Sequence, residues 1–278
     1  MSADSRMKSM PRWKHVVVTG AAQGLGRALT EICADAGITV SMIDHNEPLL
    51  TEARETLTAR GSVAPYCCDV SDNTQLGDVF QRIRETDGVP DAVICCAAIG
   101  DSAWKQRFEA AVLERVLRVN LLGIANCLEH CLPGMCAEGG GTFVMVSSLL
   151  DARGYPGTAS YSVSKAALRA MADSARILLR ASGIRVVLVR PGFMRTALTT
   201  QNTIRMPGML SADDAARRIL RDIARGKEVI AFPRWLAVFA EAARLFPRPL
   251  YERMTRAAMI RDGEAEDLHY RPRPAEGG

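Results

Sequence analysis

Residues 15–26 read HVVVTGAAQGLG. The first five hold an unbroken β-branched stretch, Val16–Thr19, the pattern of a strand covered on both faces. Gly20, Gly24 and Gly26 follow, and an amphipathic stretch at 24–36 reads as a helix that opens directly behind them. Glycines let a backbone approach a ligand closely, and a helix N-terminus favours an anion. Strand, glycine turn and helix in that order predict a pyrophosphate-binding turn formed by Thr19, Gly20, Gln23, Gly24, Leu25 and Gly26. The spacing is G-x-x-x-G-x-G rather than G-x-G-x-x-G.

The same alternation continues outward from this turn. Strand-like runs recur at 39–43, 63–67, 92–96, 142–146, 185–189 and 228–232, with helix-like stretches at 49–59, 76–85, 111–128 and 159–181 between them. Repeated strand–helix–strand units predict an α/β fold, a doubly wound parallel sheet of about seven strands with helices on both faces. A chain of 278 residues suits one such domain. We read 1–13 as an N-terminal tail, 14–232 as the dinucleotide-binding catalytic domain and 233–278 as a helical C-terminal appendage.

Composition narrows the function. A net charge of +4, scattered along the chain, excludes a nucleic-acid surface. No apolar run approaches the roughly 20 residues that span a bilayer, and the polar start lacks the apolar centre of a secretory signal. Eight cysteines without a CxxC pair, and only four histidines, predict free thiols and no metal site. These features place the protein in the cytoplasm.

Asp44 ends the second run, 18 residues beyond Gly26, where a carboxylate can accept hydrogen bonds from the adenosine ribose. It would repel the extra phosphate of NADP, and His45 and Asn46 follow rather than Arg or Lys, so NAD is favoured over NADP. Asp69, after the third run, is placed either to meet the adenine edge or to cap the next helix.

The catalytic signal is Tyr161-Ser162-Val163-Ser164-Lys165. Helix residues four apart share a face, so phenol and ammonium point into one site. A nearby cation is expected to lower the tyrosine pKa and fit it for proton transfer to a substrate oxygen. Ser148, at the end of the 142–146 run and thirteen residues before Tyr161, is placed to hydrogen-bond that oxygen; Ser147 is its neighbour.

Taken together, TGAAQGLG at 19–26, Asp69, VNLLG at 119–123, SS at 147–148, YSVSK at 161–165 and RPGFMRT at 190–196 resemble the short-chain dehydrogenase/reductase family over roughly 14–232. The resemblance implies a Rossmann-like fold and a homodimer or homotetramer. It implies that Asn120 joins Ser148, Tyr161 and Lys165 as a catalytic tetrad, holding a water in a proton relay through Lys165. Tyr161 and Lys165 would also border the cofactor, Lys165 at the nicotinamide ribose. Val70 and Ala97 would meet the adenosine side, and Pro191, Gly192 and Thr196 the nicotinamide side. One piece departs: Cys95-Cys96-Ala97-Ala98 stands where the family carries Asn-Asn-Ala-Gly. That departure bears on cofactor affinity and local rigidity, and the two thiols read as buried strand residues rather than redox sensors.

Residues 197–210 should close over the pocket; Thr199, Thr200, Gln201, Asn202, Ile204, Met206 and Met209 suit a moderately apolar small-molecule substrate. In the appendage, Trp235, Leu236, Phe239, Ala242, Ala243 and Phe246 form a helical stripe. Pro247 and Pro249 interrupt it before a second amphipathic piece holding Leu250, Tyr251, Met254 and Met259. With six arginines against two glutamates over 234–261, the stripe either packs on the protein's own body or makes peripheral membrane contact. The functional expectation is hydride transfer between NAD and a carbonyl or secondary alcohol, with Tyr161 as acid/base. The alternative is a catalytically silent NAD(H)-binding protein of the same fold.

Overall fold

A computed structural model of the protein describes residues 10–59, 61–100, 109–194 and 209–261. Seven parallel strands form one sheet in the order β3-β2-β1-β4-β5-β6-β7. They are β1 (His15–Thr19), β2 (Thr39–Asp44), β3 (Val63–Cys67), β4 (Ala92–Cys95), β5 (Gly141–Val146), β6 (Ile184–Pro191) and β7 (Val229–Phe232). Within one residue at most starts, these match the runs expected from sequence.

Successive strand residues point to opposite faces, and both faces are buried. Val16 and Val18 of β1, Val144 of β5 and Val187 of β6 join one core with α1 (Gly24–Asp35), α2 (Glu47–Leu57) and α7 (Ala212–Ala224). Val17, Phe143 and Val186 join the other, with α3 (Asn73–Asp87), α5 (Gly123–Ala137) and α6 (Ala159–Leu179). Apolar side chains needed on both faces explain why the strands read as continuous runs rather than alternating ones.

The stretch expected as one helix at 111–128 is two. α4 (Ala110–Leu117) and α5 are joined by a π-helical turn, Arg118–Leu122. The extra residue in that turn rotates Asn120 inward, where it is fully buried. Asp69 does not cap α3; Asp72 does, its carboxylate accepting from Gln75 N at 3.0 Å, while Asp69 accepts from Ser71 N at 2.9 Å and stays exposed.

After β7 the chain forms α8 (Arg234–Leu245) and α9 (Arg248–Arg261); the break falls at Phe246-Pro247 as expected, whereas Pro249 lies in the first turn of α9 rather than in the break. The apolar stripe of α8 does not all face one way. Ala243 is buried and Leu236 packs near Gly192, whereas Trp235, Val238, Phe239 and Leu245 are exposed. α9 turns Thr255 and Met259 inward. Among the described residues no helix is long and apolar enough to cross a membrane.

Candidate active site

The sheet order changes direction between β1 and β4, and the crevice at the carboxyl ends of these strands is where an open α/β sheet takes its ligand. Gly20 and Gly24 there have φ of +65° and +58°, which side chains rarely adopt. A Cβ on Gly20 would stand 2.8 Å from Ala97 N, and one on Gly26 would overlap Gly20 O. Both glycines therefore let β1, α1 and the end of β4 close on one another. Gln23, the N-cap of α1, makes no side-chain capping bond, and the first turn of α1 holds no acid. Among the described residues no side chain caps these first-turn N–H groups, so the cradle fits a dinucleotide's pyrophosphate. Leu25 is buried beneath it.

Asp44 closes the cradle from β2. Its carboxylate accepts from Ala22 N and from Asn46 N, each at 3.0 Å, and is almost fully buried. It therefore fixes the glycine turn as well as presenting negative charge at the end of β2.

Beyond β4 the backbone is fastened by neighbours. Thr19 Oγ1 accepts from Ala97 N at 3.2 Å. Asn120 Oδ1 accepts from Ile99 N at 2.8 Å, and its Nδ2 donates to Ile99 O at 3.0 Å and Ser164 Oγ at 3.2 Å. The carboxamide of Asn120 is thus directed at this loop and at α6. Val70, buried, packs against Gly123, where a Cβ would meet its Cγ2 at 2.6 Å. Cys95 lies among Cys127 and Cys131; burial pushes its thiol far up and that of Cys96 to about 12. Both remain protonated, as inert interior thiols do. Among the described residues no group of three or more His, Cys, Asp or Glu could hold a metal ion.

Tyr161 and Lys165 stand one turn apart at the start of α6. The Tyr161 hydroxyl is hydrogen-bonded with Ser148, whose Oγ also accepts from Leu150 N at 3.2 Å. Lys165 is 1% exposed; its Nζ donates to Val146 O at 2.9 Å and lies 5.4 Å from the centroid of the Tyr161 ring. The expected lowering of the tyrosine pKa does not occur in this arrangement. Burial pushes Tyr161 up to about 12; the bond from Ser148 lowers it and the charge of Asp151 raises it. Burial brings Lys165 down to about 8, against opposing effects of Cys96 and Asp151. The physical reason is that the ammonium is spent on a strand carbonyl beneath the ring instead of on the phenol oxygen.

Pro191 ends β6 and Gly192 N donates to Phe232 O at 2.7 Å, which turns the chain beside the pocket. Thr196 and most of 197–210 lie outside the described residues; the flanking Met194 and Leu210 form a parallel bridge.

Sequence reading assigns Arg190 no role beyond opening the RPGFMRT turn, and does not single out Asp151, Arg169 or Glu241. The structure joins all four beside Ser147: Arg190 Nε reaches Asp151 Oδ2 at 2.7 Å, and Arg169 Nη1 reaches Glu241 Oε1 at 2.8 Å. Two signals were available. Asp151 is a carboxylate three residues past a strand-end serine pair, and Glu241 is the one acid between 234 and 246.

Similarity to known proteins agrees with this geometry. The family model described as short chain dehydrogenase matches residues 14–206. An uncharacterized oxidoreductase of Myxococcus xanthus is 34% identical over 248 residues, 88% of this chain and 97% of its own. The cis-4-hydroxycyclohexanecarboxylate dehydrogenase of Sinomonas cyclohexanicum is 34% identical over 214 residues, covering 77% and 84% of the two chains. A crystal structure of a 3-oxoacyl-[acyl-carrier protein] reductase from Brucella melitensis with bound NAD superposes with a TM-score of 0.71 at 24% identity, covering 84% of this chain and 94% of that one. Motifs, sheet order and these matches together assign the chain to the short chain dehydrogenase family of oxidoreductases.

Proposed function

We propose that the protein is an NAD-dependent oxidoreductase that interconverts a carbonyl compound and its secondary alcohol, with Tyr161 as acid/base. The observation that carries this reading is the convergence of Ser148, Tyr161 and Lys165 at the carboxyl end of β5, beside the glycine cradle. A bound nicotinamide supplies or accepts the hydride. In the direction of reduction, Ser148 hydrogen-bonds the substrate oxygen and the Tyr161 hydroxyl donates its proton there. A phenol held high by burial keeps that proton until an alkoxide develops to take it. Lys165, its pKa lowered to about 8 by burial, would pass a proton onward and would contact the nicotinamide ribose of a bound cofactor. Asn120 completes the tetrad by fixing the loop after β4 and the flank of α6. On the family resemblance, Asp69, Val70 and Ala97 would border the adenosine, and Pro191 and Gly192 the nicotinamide.

NAD is preferred because Asp44 places a carboxylate where NADP would bring a phosphate. Two relatives are named for cis-4-hydroxycyclohexanecarboxylate and for a 3-oxoacyl-[acyl-carrier-protein], which supports a ketone/secondary-alcohol pair as the reacting group. Exposed Leu122, Val163, Ile177 and Leu178 support self-association as a dimer or tetramer. Outward Trp235, Val238 and Phe239 beside Arg234 support peripheral contact with an anionic membrane, a reading that absence of co-sedimentation with such liposomes at low salt would remove. Eight free cysteines support a reducing compartment, the cytoplasm.

The test is turnover of a panel of ketones, aldehydes and secondary alcohols with NAD(H) and NADP(H), for wild type and Tyr161→Phe. Wild type should act with NAD(H), and the variant should lose on the order of 10²–10⁴ in kcat while still binding the cofactor. An inactive wild type that binds NAD(H) would favour a silent binding protein instead.

A further inference from the structure

We infer that Glu241, on the C-terminal helix α8, is a positioning residue for the reaction proposed above: with Arg169, Arg190 and Asp151 it forms an ionic frame that holds the strand end carrying Ser147 and Ser148. The inference rests on that functional reading, and α8 accordingly belongs to the catalytic frame rather than to an appendage.

Four elements meet in the frame. Asp151 ends the short 3-10 turn Leu149–Asp151 directly after Ser148. Arg190 is the penultimate residue of β6, Arg169 lies one helical turn beyond Lys165 on α6, and Glu241 is on α8. The Arg190 guanidinium stands between the two acids. Its Nε is 2.7 and 3.0 Å from the Asp151 oxygens, its Nη2 2.5 Å from Oδ1, and its Nη1 2.5 Å from Glu241 Oε1. Arg169 grips Glu241 through Nη1 at 2.8 Å and Nη2 at 3.3 Å, and comes within 3.7 Å of Asp151. Arg244 adds a contact to Glu241 at 3.6 Å.

This frame touches the reacting groups through Ser147, whose Oγ lies 3.2 Å from Asp151 Oδ2 and 3.3 Å from the carbonyl oxygen of Lys165. The Asp151 charge also acts on both Tyr161 and Lys165. α8 seats on the same end of the sheet a second time, where Leu236 lies within van der Waals reach of Gly192. Arg153, two residues past Asp151, donates to Ala243 O at 2.5 Å and Phe246 O at 3.0 Å and stacks 3.9 Å from the Tyr251 ring. Tyr251 Oη in turn donates to Gly154 O at 2.6 Å. Residues 151–154 are therefore held from outside by the C-terminal helices.

Stability alone does not account for such a frame. Asp151 and Arg190 are both 5% exposed, and buried ion pairs are weak stabilisers that apolar residues often replace without loss. What a bidentate guanidinium shared by two carboxylates does supply is fixed geometry.

The experiment compares wild type, Glu241→Gln, Glu241→Ala and, as a control, Glu252→Gln, which removes only the exposed pair with Arg248 at 2.6 Å on α9. Backbone hydrogen–deuterium exchange, kcat, cofactor Kd and the deuterium isotope effect on kcat are measured for each. Glu241→Ala should speed exchange of 147–154 and lower kcat by about 10- to 100-fold, as small misplacements of reacting groups do. Cofactor Kd should stay within roughly twofold, because the frame touches none of the glycine cradle. Glu241→Gln, which keeps the shape and loses the charge, should fall between the two. Unchanged exchange and kcat in the folded Gln variant, or an equal effect of Glu252→Gln, overturns the inference. A wild type without turnover sinks the proposed reaction and the kinetic claim with it; an active wild type whose 147–154 exchange ignores Glu241 sinks the inference alone.

Discussion

Replacing Lys165 by Met should make the protein more stable and inactive. The fall of Lys165 from an ordinary 10.5 to about 8 corresponds to about 3 kcal/mol that the folded state pays to keep the buried ammonium charged. Below pH 8 the lysine is protonated both folded and unfolded, so the whole penalty is present. Between about pH 8 and 10.5 the unfolded chain binds the proton more often than the folded one. Stability of the wild type therefore rises with pH through that window, and the penalty fades. Met fills the same stem volume with similar helix propensity and carries no charge. It leaves Val146 O without the donor it has at 2.9 Å, an offset of about 1 kcal/mol. The variant should thus exceed wild type by about 2 kcal/mol at neutral pH. Urea unfolding of both proteins at matched concentration, repeated from pH 7 to pH 10, reads this directly. The advantage of Met should shrink by roughly 2 kcal/mol across the series. A Met variant less stable than wild type at neutral pH, by an amount that does not change with pH, would refute the reasoning about the buried ammonium.

Asp44→Ala combined with His45→Arg should move preference toward NADP(H); equal efficiency of NADH and NADPH in the unmodified protein would already refute the role given to Asp44. Because Asp44 also accepts from Ala22 N and Asn46 N, the change should cost about 1–3 kcal/mol in unfolding free energy. Gly26→Ala puts a methyl onto Gly20 O and should abolish NAD(H) binding by calorimetry, and a wild-type Kd would show that the cradle is misread. Cys96→Asn with Ala98→Gly should alter cofactor affinity or thermal stability only; a changed isotope effect at saturating cofactor would place this segment in the chemical step.

The sheet was legible because each strand is buried on two faces and so writes an unbroken apolar run, as at Val16–Val18 and Val186–Val189. The glycine cradle was legible because only glycine tolerates the approach of Gly20 to Ala97 and of Gly26 to Gly20. The π turn at Arg118–Leu122 was not: a single inserted residue leaves the helical apolar period almost intact, and only the inward Asn120 betrays it. The direction of the Tyr161 shift was missed because spacing shows that Lys165 shares its face, but not that Nζ is committed to Val146 O. The ionic frame was hidden because its members, Asp151, Arg169, Arg190 and Glu241, are far apart in sequence, and charged residues read locally as solvated. The stripe on α8 misled for a related reason. That helix is apolar on most sides, so periodicity could not tell which residues, Leu236 and Ala243 or Trp235 and Phe239, would face the body.

The most direct test of the account is transfer of deuterium from NADH carrying deuterium at both C4 positions of the nicotinamide to a ketone that the protein reduces. Mass spectrometry of the product alcohol should find one deuterium on the carbinol carbon with wild type, and Tyr161→Phe at equal cofactor occupancy should form this labelled product more slowly by a factor on the order of 10²–10⁴. Product without deuterium, or labelled product formed by Tyr161→Phe at the wild-type rate, would contradict hydride transfer assisted by Tyr161.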